Sequence, residues 1–169
     1  RIARTRFFME VRADYFNCLF AEIQGFQMKC HRLGLKPAVR LNGTSDIVWE
    51  TVAPWLFEVF VGVQFYDYTK HEKRLRRGWT LPTNYHLTFS RSEKNDESVA
   101  RILRENQRAK VAVVFSTSRS KSLPKTWNGA RVIDADKHDL RFLDKGGRIL
   151  GLRAKGEARK DTSGFVVKV

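Results

Sequence analysis

The sequence predicts an α/β fold, a partial or complete parallel β/α barrel-like sheet with a C-terminal β-rich extension. Three observations predict it. Strand-like segments alternate with helical ones at intervals of about 20 to 25 residues, enough for simple β-α units. The first three of these segments share one pattern: Arg40 and Asn42, then Gln64, Tyr66 and Tyr68, then His86, Thr88 and Ser90 occupy one set of alternate positions. Val39, Leu41, Val63, Phe65, Leu87 and Phe89 occupy the other. An apolar face under helices and a polar face turned inward describe a barrel better than a flat sheet covered on both sides. Finally, Val111-Ala112-Val113-Val114-Phe115 is continuously apolar, as a central strand is.

The elements follow in order. Phe8, Val11, Tyr15, Leu19, Ile23 and Phe26 recur at three- and four-residue steps and predict one long helix over about 4–33, stopped by Gly34, with Gly25 as a weak point. Arg1, Arg4, Arg6 and Arg12 crowd its start, the unfavourable end of the helix dipole for cations. A strand is expected at 37–42, then a polar loop, then a helix over about 49–60 in which Pro54 marks a kink or a first turn. Strands at 62–68 and 85–90 flank the basic segment Lys70–Gly78. Asn95, Asp96 and Glu97 suit the start of a helix running to about 107. Residues 116–130 lack periodicity and are rich in Ser and Lys, a basic loop and possible lid. Short strands are expected at 130–133, 140–143, 148–152 and 165–169, with Gly146-Gly147 as a hairpin turn.

At 169 residues and 42% hydrophobic, the chain is expected to form a single domain over 1–169. Its parts are 1–115 (a helix and β/α units), the loop 116–130 and the extension 131–169. The chain starts with Arg1 rather than Met, so an upstream segment is expected. Cys18 and Cys30 fall on one predicted helix, too far apart for a disulfide, and two free thiols fit a reducing compartment such as the cytoplasm. No apolar run is long enough for a membrane helix.

Lys and Arg number 32 against 18 Asp and Glu, a net charge of +14 that attracts polyanions, with nucleic acid the usual partner. In parallel β/α sheets the site lies at the carboxyl ends of the strands. The candidates there are Arg40, Asp46, Tyr66 and His86 as reactive groups, with Asn42, Ser45, Lys70, Ser90 and Arg91 as binding groups. Lys73, Arg74, Arg76, Arg77, Arg101, Arg104 and Arg108 would supply a long-range field for phosphates, and Tyr66, Tyr68 and Trp127 would stack on bases. The competing reading makes the strand polar groups a core that satisfies itself. The run Asp134–Asp139 lacks the spacing, turn glycine and terminal Glu of a calcium loop, so no metal is assigned. No CxxC pair, HExxH, phosphate loop, nucleophile elbow or His-apolar-His strand is present.

Several stretches together resemble a family of uncharacterised phage- and plasmid-encoded proteins. They are Ala3–Phe8, Val39–Ile47 with Trp49-Glu50, Phe65–Lys70, His86–Ser90, Val132–Asp134 with Asp139–Arg141, Gly151-Leu152 with Ala154–Gly156, and Gly164–Val167. The resemblance covers nearly the whole chain. Family members usually carry a cysteine-rich segment ahead of the Ala-Arg-Thr run, and cysteines followed by β-α units resemble radical-SAM barrels. The resemblance implies a phage or mobile-element accessory protein; this sequence lacks the cysteines, so no cofactor is assigned to it. Three functions are weighed: binding of nucleic acid or a nucleotide-like phosphorylated ligand at the strand carboxyl ends, a β/α-barrel enzyme acting on a nucleotide-like substrate, and binding of an acidic host protein.

Overall fold

A computed structural model describes residues 2–118 and 120–169. Arg1 of the amino-terminal basic run and Arg119 of the basic loop lie outside the described residues.

The expected long first helix is two helices, α1 (Ile2–Glu10) and α2 (Arg12–Arg32), broken at Val11, where φ is −133° and ψ 57°. Gly25 lies inside α2 and breaks nothing, whereas Gly34 takes the positive φ (65°) that ends a helix. The packed stripe is Phe8, Tyr15, Phe16, Leu19, Phe20 and Ile23; Val11 and Phe26 are exposed. This stripe meets α3 (Trp49–Val52) and α4 (Trp55–Val59) through edge-on and tilted aromatic pairs, including Phe8–Trp49 at 5.9 Å and Phe20–Phe60 at 5.2 Å. Pro54 separates α3 from α4 and leads into the first turn of α4. Cys18 is exposed and Cys30 buried on α2, both free thiols.

The seven strands are β1 (Ala38–Val39), β2 (Gln64–Thr69), β3 (Tyr85–Ser90), β4 (Lys110–Phe115), β5 (Thr126–Trp127), β6 (Ala130–Asp134) and β7 (Arg148–Arg153). Their order is β1-β2-β3-β4-β7-β6-β5, parallel throughout except for the antiparallel β5–β6 pair. β1 and β5 are therefore edges, and the sheet is open along this order rather than closed as a barrel. β4 is central, as its unbroken apolar run predicts. The expected C-terminal extension is not separate: β7 pairs with β4 over six positions and carries β6 outward from it. Residues 141–143 form a 3₁₀ turn rather than a strand, so Gly146-Gly147 closes no hairpin. Those glycines instead pass against the backbone of Gln107 and Arg108, where a Cβ would meet carbonyl oxygens at 2.8 Å. Of the expected strand 165–169, only a bridge from Val167 to Phe115 forms.

Alternation along β2–β4 sorts the two faces. Phe65, Leu87, Phe89, Val111, Val113 and Phe115 face α5 (Asp96–Glu105), whose Val99 and Ile102 are buried with them. Asn95 precedes α5 but does not cap it; its side chain accepts from Ser92 N–H at 2.7 Å and donates to the Ser90 carbonyl at 3.1 Å, fixing the preceding turn. On the opposite face, residues 135–145 cross back from β6 to β7. Phe142 packs on Tyr66 with ring centroids 5.5 Å apart, and Lys110 Nζ donates to the Arg141 carbonyl at 2.7 Å. The polar face predicted to line an open interior is thus largely roofed.

Candidate functional site at the carboxyl edge of the sheet

β1 is shorter than expected because Asn42 pulls the chain out of the ladder. Its N–H donates to Asp67 Oδ1 at 2.7 Å. Its side-chain oxygen accepts from Ser45 Oγ (2.8 Å), Ile47 N–H (3.1 Å) and Trp49 Nε1 (3.0 Å), while Nδ2 donates to the Ile47 carbonyl at 3.0 Å. One buried amide therefore shapes the whole loop into α3. Arg40, expected on the inward polar face of a strand, sits instead beyond the end of the edge strand β1. Its side chain is one-third exposed, paired to Asp139 at 3.2 Å and lying over the Tyr68 ring.

This loop and the ends of β2 and β3 enclose a cleft of about 270 Å³ lined by Arg40, Asn42, Gly43, Thr44, Ser45, Asp46, Tyr68, Thr69, Lys70 and Ser90. Seven sequence-predicted residues are brought together here: Arg40, Asn42, Ser45, Asp46, Tyr68, Lys70 and Ser90. Their tasks differ. Asn42 and Ser45 hold the loop. Asp46 accepts from Lys70 N–H at 2.6 Å and from Arg74 Nη1 at 3.2 Å. The Lys70 ammonium is exposed and pairs with no described residue, so it is the available cation of the cleft. Tyr68 donates to Asp139 at 2.8 Å, and burial together with that carboxylate pushes its hydroxyl pKa up, so it stays protonated.

Behind the cleft lies a buried network that alternation alone did not disclose. Arg74, expected to join the outward field, is a buried clamp. It forks onto Glu50 at 2.8 and 2.6 Å, and also reaches Asp46, Thr69 and the Tyr85 hydroxyl. Tyr85 in turn donates to Asp67 Oδ2 at 2.8 Å. Burial raises the Asp67 carboxyl to about 6 against the lowering effect of its Asn42 and Tyr85 hydrogen bonds. A polar residue at a helix-facing position of β2 was the signal for this network.

The remaining candidates lie elsewhere. Tyr66 is buried against Phe142. His86 is roofed on the same face; burial and the Lys110 charge lower it to about 4, and its Nε2 is buried with no hydrogen-bond partner among the described residues. With its pKa lowered in this way, the imidazole is uncharged at neutral pH. Arg91, expected on phosphate, forks onto Asp96 at 2.6 and 2.9 Å and donates to the Gly164 and Phe165 carbonyls, tying the C-terminal segment to the turn before α5. Arg76 and Arg101 both pair with Glu72, Arg101 at 2.7 Å, and Arg104 meets Glu105 at 3.8 Å; Arg77 is exposed. This outer group is a surface stripe between the 72–75 turn and α5, in which two glutamates partly offset four arginines. Trp127 is half-buried, packs edge-on against Phe115 at 6.4 Å and does not line the first cleft.

A second cleft of about 350 Å³ opens at the same edge, at the ends of β4 and β7, lined by Ser116, Thr117, Ser118, Arg153, Ala154, Lys155 and Arg159. Sequence reasoning missed it as a site. Three successive hydroxyl residues directly after the most apolar strand were the available signal. The aspartate run serves the cations here: Arg153 donates to Asp134 (2.9 Å) and Asp136 (3.0 Å), and Lys155 pairs with Asp136 at 2.7 Å. No group of three or more His, Cys, Asp or Glu able to hold a metal occurs among the described residues. Nor is any described helix long and apolar enough to cross a membrane.

No curated protein and no solved structure matches the chain. The model of the phage gene-product family described as Gene product 88 matches residues 1–169, and the chain belongs to that family.

Proposed function

We propose that the protein binds single-stranded nucleic acid through the carboxyl edge of its sheet, as an accessory factor of a phage or mobile element. The observation that carries this reading is the first cleft, where the unpaired Lys70 ammonium and the Arg40 guanidinium stand beside Thr44, Ser45 and Ser90 hydroxyls at the mouth of three parallel strands. Parallel β/α sheets bind their ligands at that edge. The hydroxyls and cations match phosphate oxygens, and phosphate contacts supply most of the affinity of such proteins. A chain charge of +14 adds attraction at a distance. The half-buried Tyr68, held by Arg40 and Asp139, leaves room for only limited base stacking, so binding is expected to be tolerant of sequence.

Fluorescence anisotropy with random-sequence single-stranded DNA and RNA tests this reading. Binding should weaken steeply and log-linearly as salt rises. Undetectable binding of both at low salt would rule it out.

A further inference from the structure

The second cleft is chemically unlike the first, and nothing in the nucleic-acid reading uses it. It lies where β4 and β7 are neighbours but the chain leaves β4 for the far edge of the sheet and reaches β7 only after β5 and β6. Crevices between parallel neighbours whose connections run to different places are the preferred ligand positions of open α/β sheets. Thr117 is the decisive residue. It is 8% exposed, it lines the cleft, and its Oγ1 is buried with no hydrogen-bond partner among the described residues. A buried hydroxyl left unpaired is costly, and a bound acceptor relieves that cost. Arg153 also keeps a buried Nε with no hydrogen-bond partner among the described residues, although its Nη1 donates to Asp134 and Asp136. Lys155 and Arg159 are exposed on the rim, and Lys155 reaches Asp136 with a side chain that is 60% exposed, so its ammonium can turn to a ligand.

We propose that this cleft binds a phosphate monoester dianion. Thr117 offers a hydroxyl donor from the floor, its exposed neighbours Ser116 and Ser118 offer two more, and Lys155 and Arg159 supply charge from the rim. Three hydroxyls with two kinds of cation suit a tetrahedral group of several oxygens better than a planar carboxylate. A volume of about 350 Å³ falls within the range of small-molecule sites, roughly 300–1,000 Å³, and leaves space beside the phosphate for a nucleoside. The proposal stands apart from nucleic-acid binding at the first cleft, because it concerns a compact ligand rather than a strand.

The test is calorimetric titration of the full chain with inorganic phosphate, a nucleoside 5′-monophosphate and the corresponding nucleoside, with thermal melts of each variant to confirm folding. Saturable one-to-one binding is expected for the phosphate-bearing ligands and none for the nucleoside. Thr117→Val, nearly isosteric, should weaken binding at least about tenfold, one lost hydrogen bond to a charged group. The Lys155→Ala/Arg159→Ala double variant should weaken it further. Equal affinity for phosphate and monophosphate identifies free phosphate as the source of the ligand; tighter monophosphate binding identifies a nucleotide. Absence of binding by both, or affinity unchanged in Thr117→Val and in the double variant, overturns the proposal. Salt-dependent binding of oligonucleotides persisting alongside that failure would leave the nucleic-acid reading intact.

Discussion

Arg74 and Arg141 are the most deeply buried arginines among the described residues, Arg74 on the helix-covered side of the sheet and Arg141 under the crossing on the other side. They show opposite ways to bury a guanidinium. Arg74 has hydrogen-bond partners on every nitrogen: two oxygens of Glu50, one of Asp46, Thr69 Oγ1 and the Tyr85 hydroxyl. Arg141 donates well only from Nη2, to the Ala135 carbonyl at 3.1 Å. Its Nε and Nη1 are buried without hydrogen-bond partners among the described residues, and its ion pairs to Asp139 and Asp144 lie at 3.9 and 3.2 Å. A saturated fork fixes geometry, and here it fixes the loop that walls the first cleft, through Glu50 and Asp46. An under-filled one costs desolvation with less return.

The difference sets an order of effects. Arg74→Ala strands Glu50 and Asp46 without their cation and should destabilise the protein most, by about 3–5 kcal/mol in denaturant unfolding. Arg141→Ala removes fewer good hydrogen bonds and should cost less, about 1–3 kcal/mol. Equal losses would erase the contrast between the two sites.

The same two sides titrate in opposite senses. Asp67 sits at about 6, above its ordinary 3.8, so between pH 4 and 6 the folded protein holds more of that proton than the unfolded chain, and Asp67 makes stability fall as pH rises through this window. His86 sits at about 4, below its ordinary 6.5, so across pH 4 to 6.5 the unfolded chain holds more of that proton, and His86 makes stability rise. Each contribution is on the order of 3 kcal/mol in full and they largely cancel. Relative to the unmodified protein, Asp67→Asn should steepen the rise of stability with pH over 4–6, and His86→Gln should tilt it towards a fall. Parallel pH profiles for the two variants would contradict the assignment. The smallest effect is expected at Thr88, whose buried hydroxyl has no partner among the described residues. Thr88→Val should stay within about 0.5 kcal/mol or stabilise, because it removes an unpaired polar group.

The sequence reveals the sheet better than its neighbours. β2, β3, β4 and β7 are legible because alternation or an unbroken apolar run is a local property of the chain. The insertion of β7 beside β4 is not, since strand order depends on pairings between distant segments. The stretch around Phe142 reads as a strand because Leu140 and Phe142 alternate with charged Arg141, yet that arginine is the buried member and the backbone turns to place it. The first cleft is legible through the carboxyl-end rule and the polar loop after β1. The fates of Arg74 and Arg91 are not. Lone arginines in a basic sequence look solvated, and their binding carboxylates and carbonyls come from elsewhere in the chain, Glu50 for Arg74 and Gly164 for Arg91.

The most direct measurement is the slope of log affinity for a single-stranded oligonucleotide against log salt, compared between the unmodified protein, Lys70→Ala and Lys36→Ala. Lys36 is equally exposed but precedes β1, at the amino edge of the sheet. If phosphates meet the first cleft, Lys70→Ala should reduce the slope by about 0.7, the value of one phosphate contact on a single strand, while Lys36→Ala leaves it unchanged. A slope unaffected by Lys70→Ala, or altered equally by both, would contradict the placement of nucleic acid at this edge.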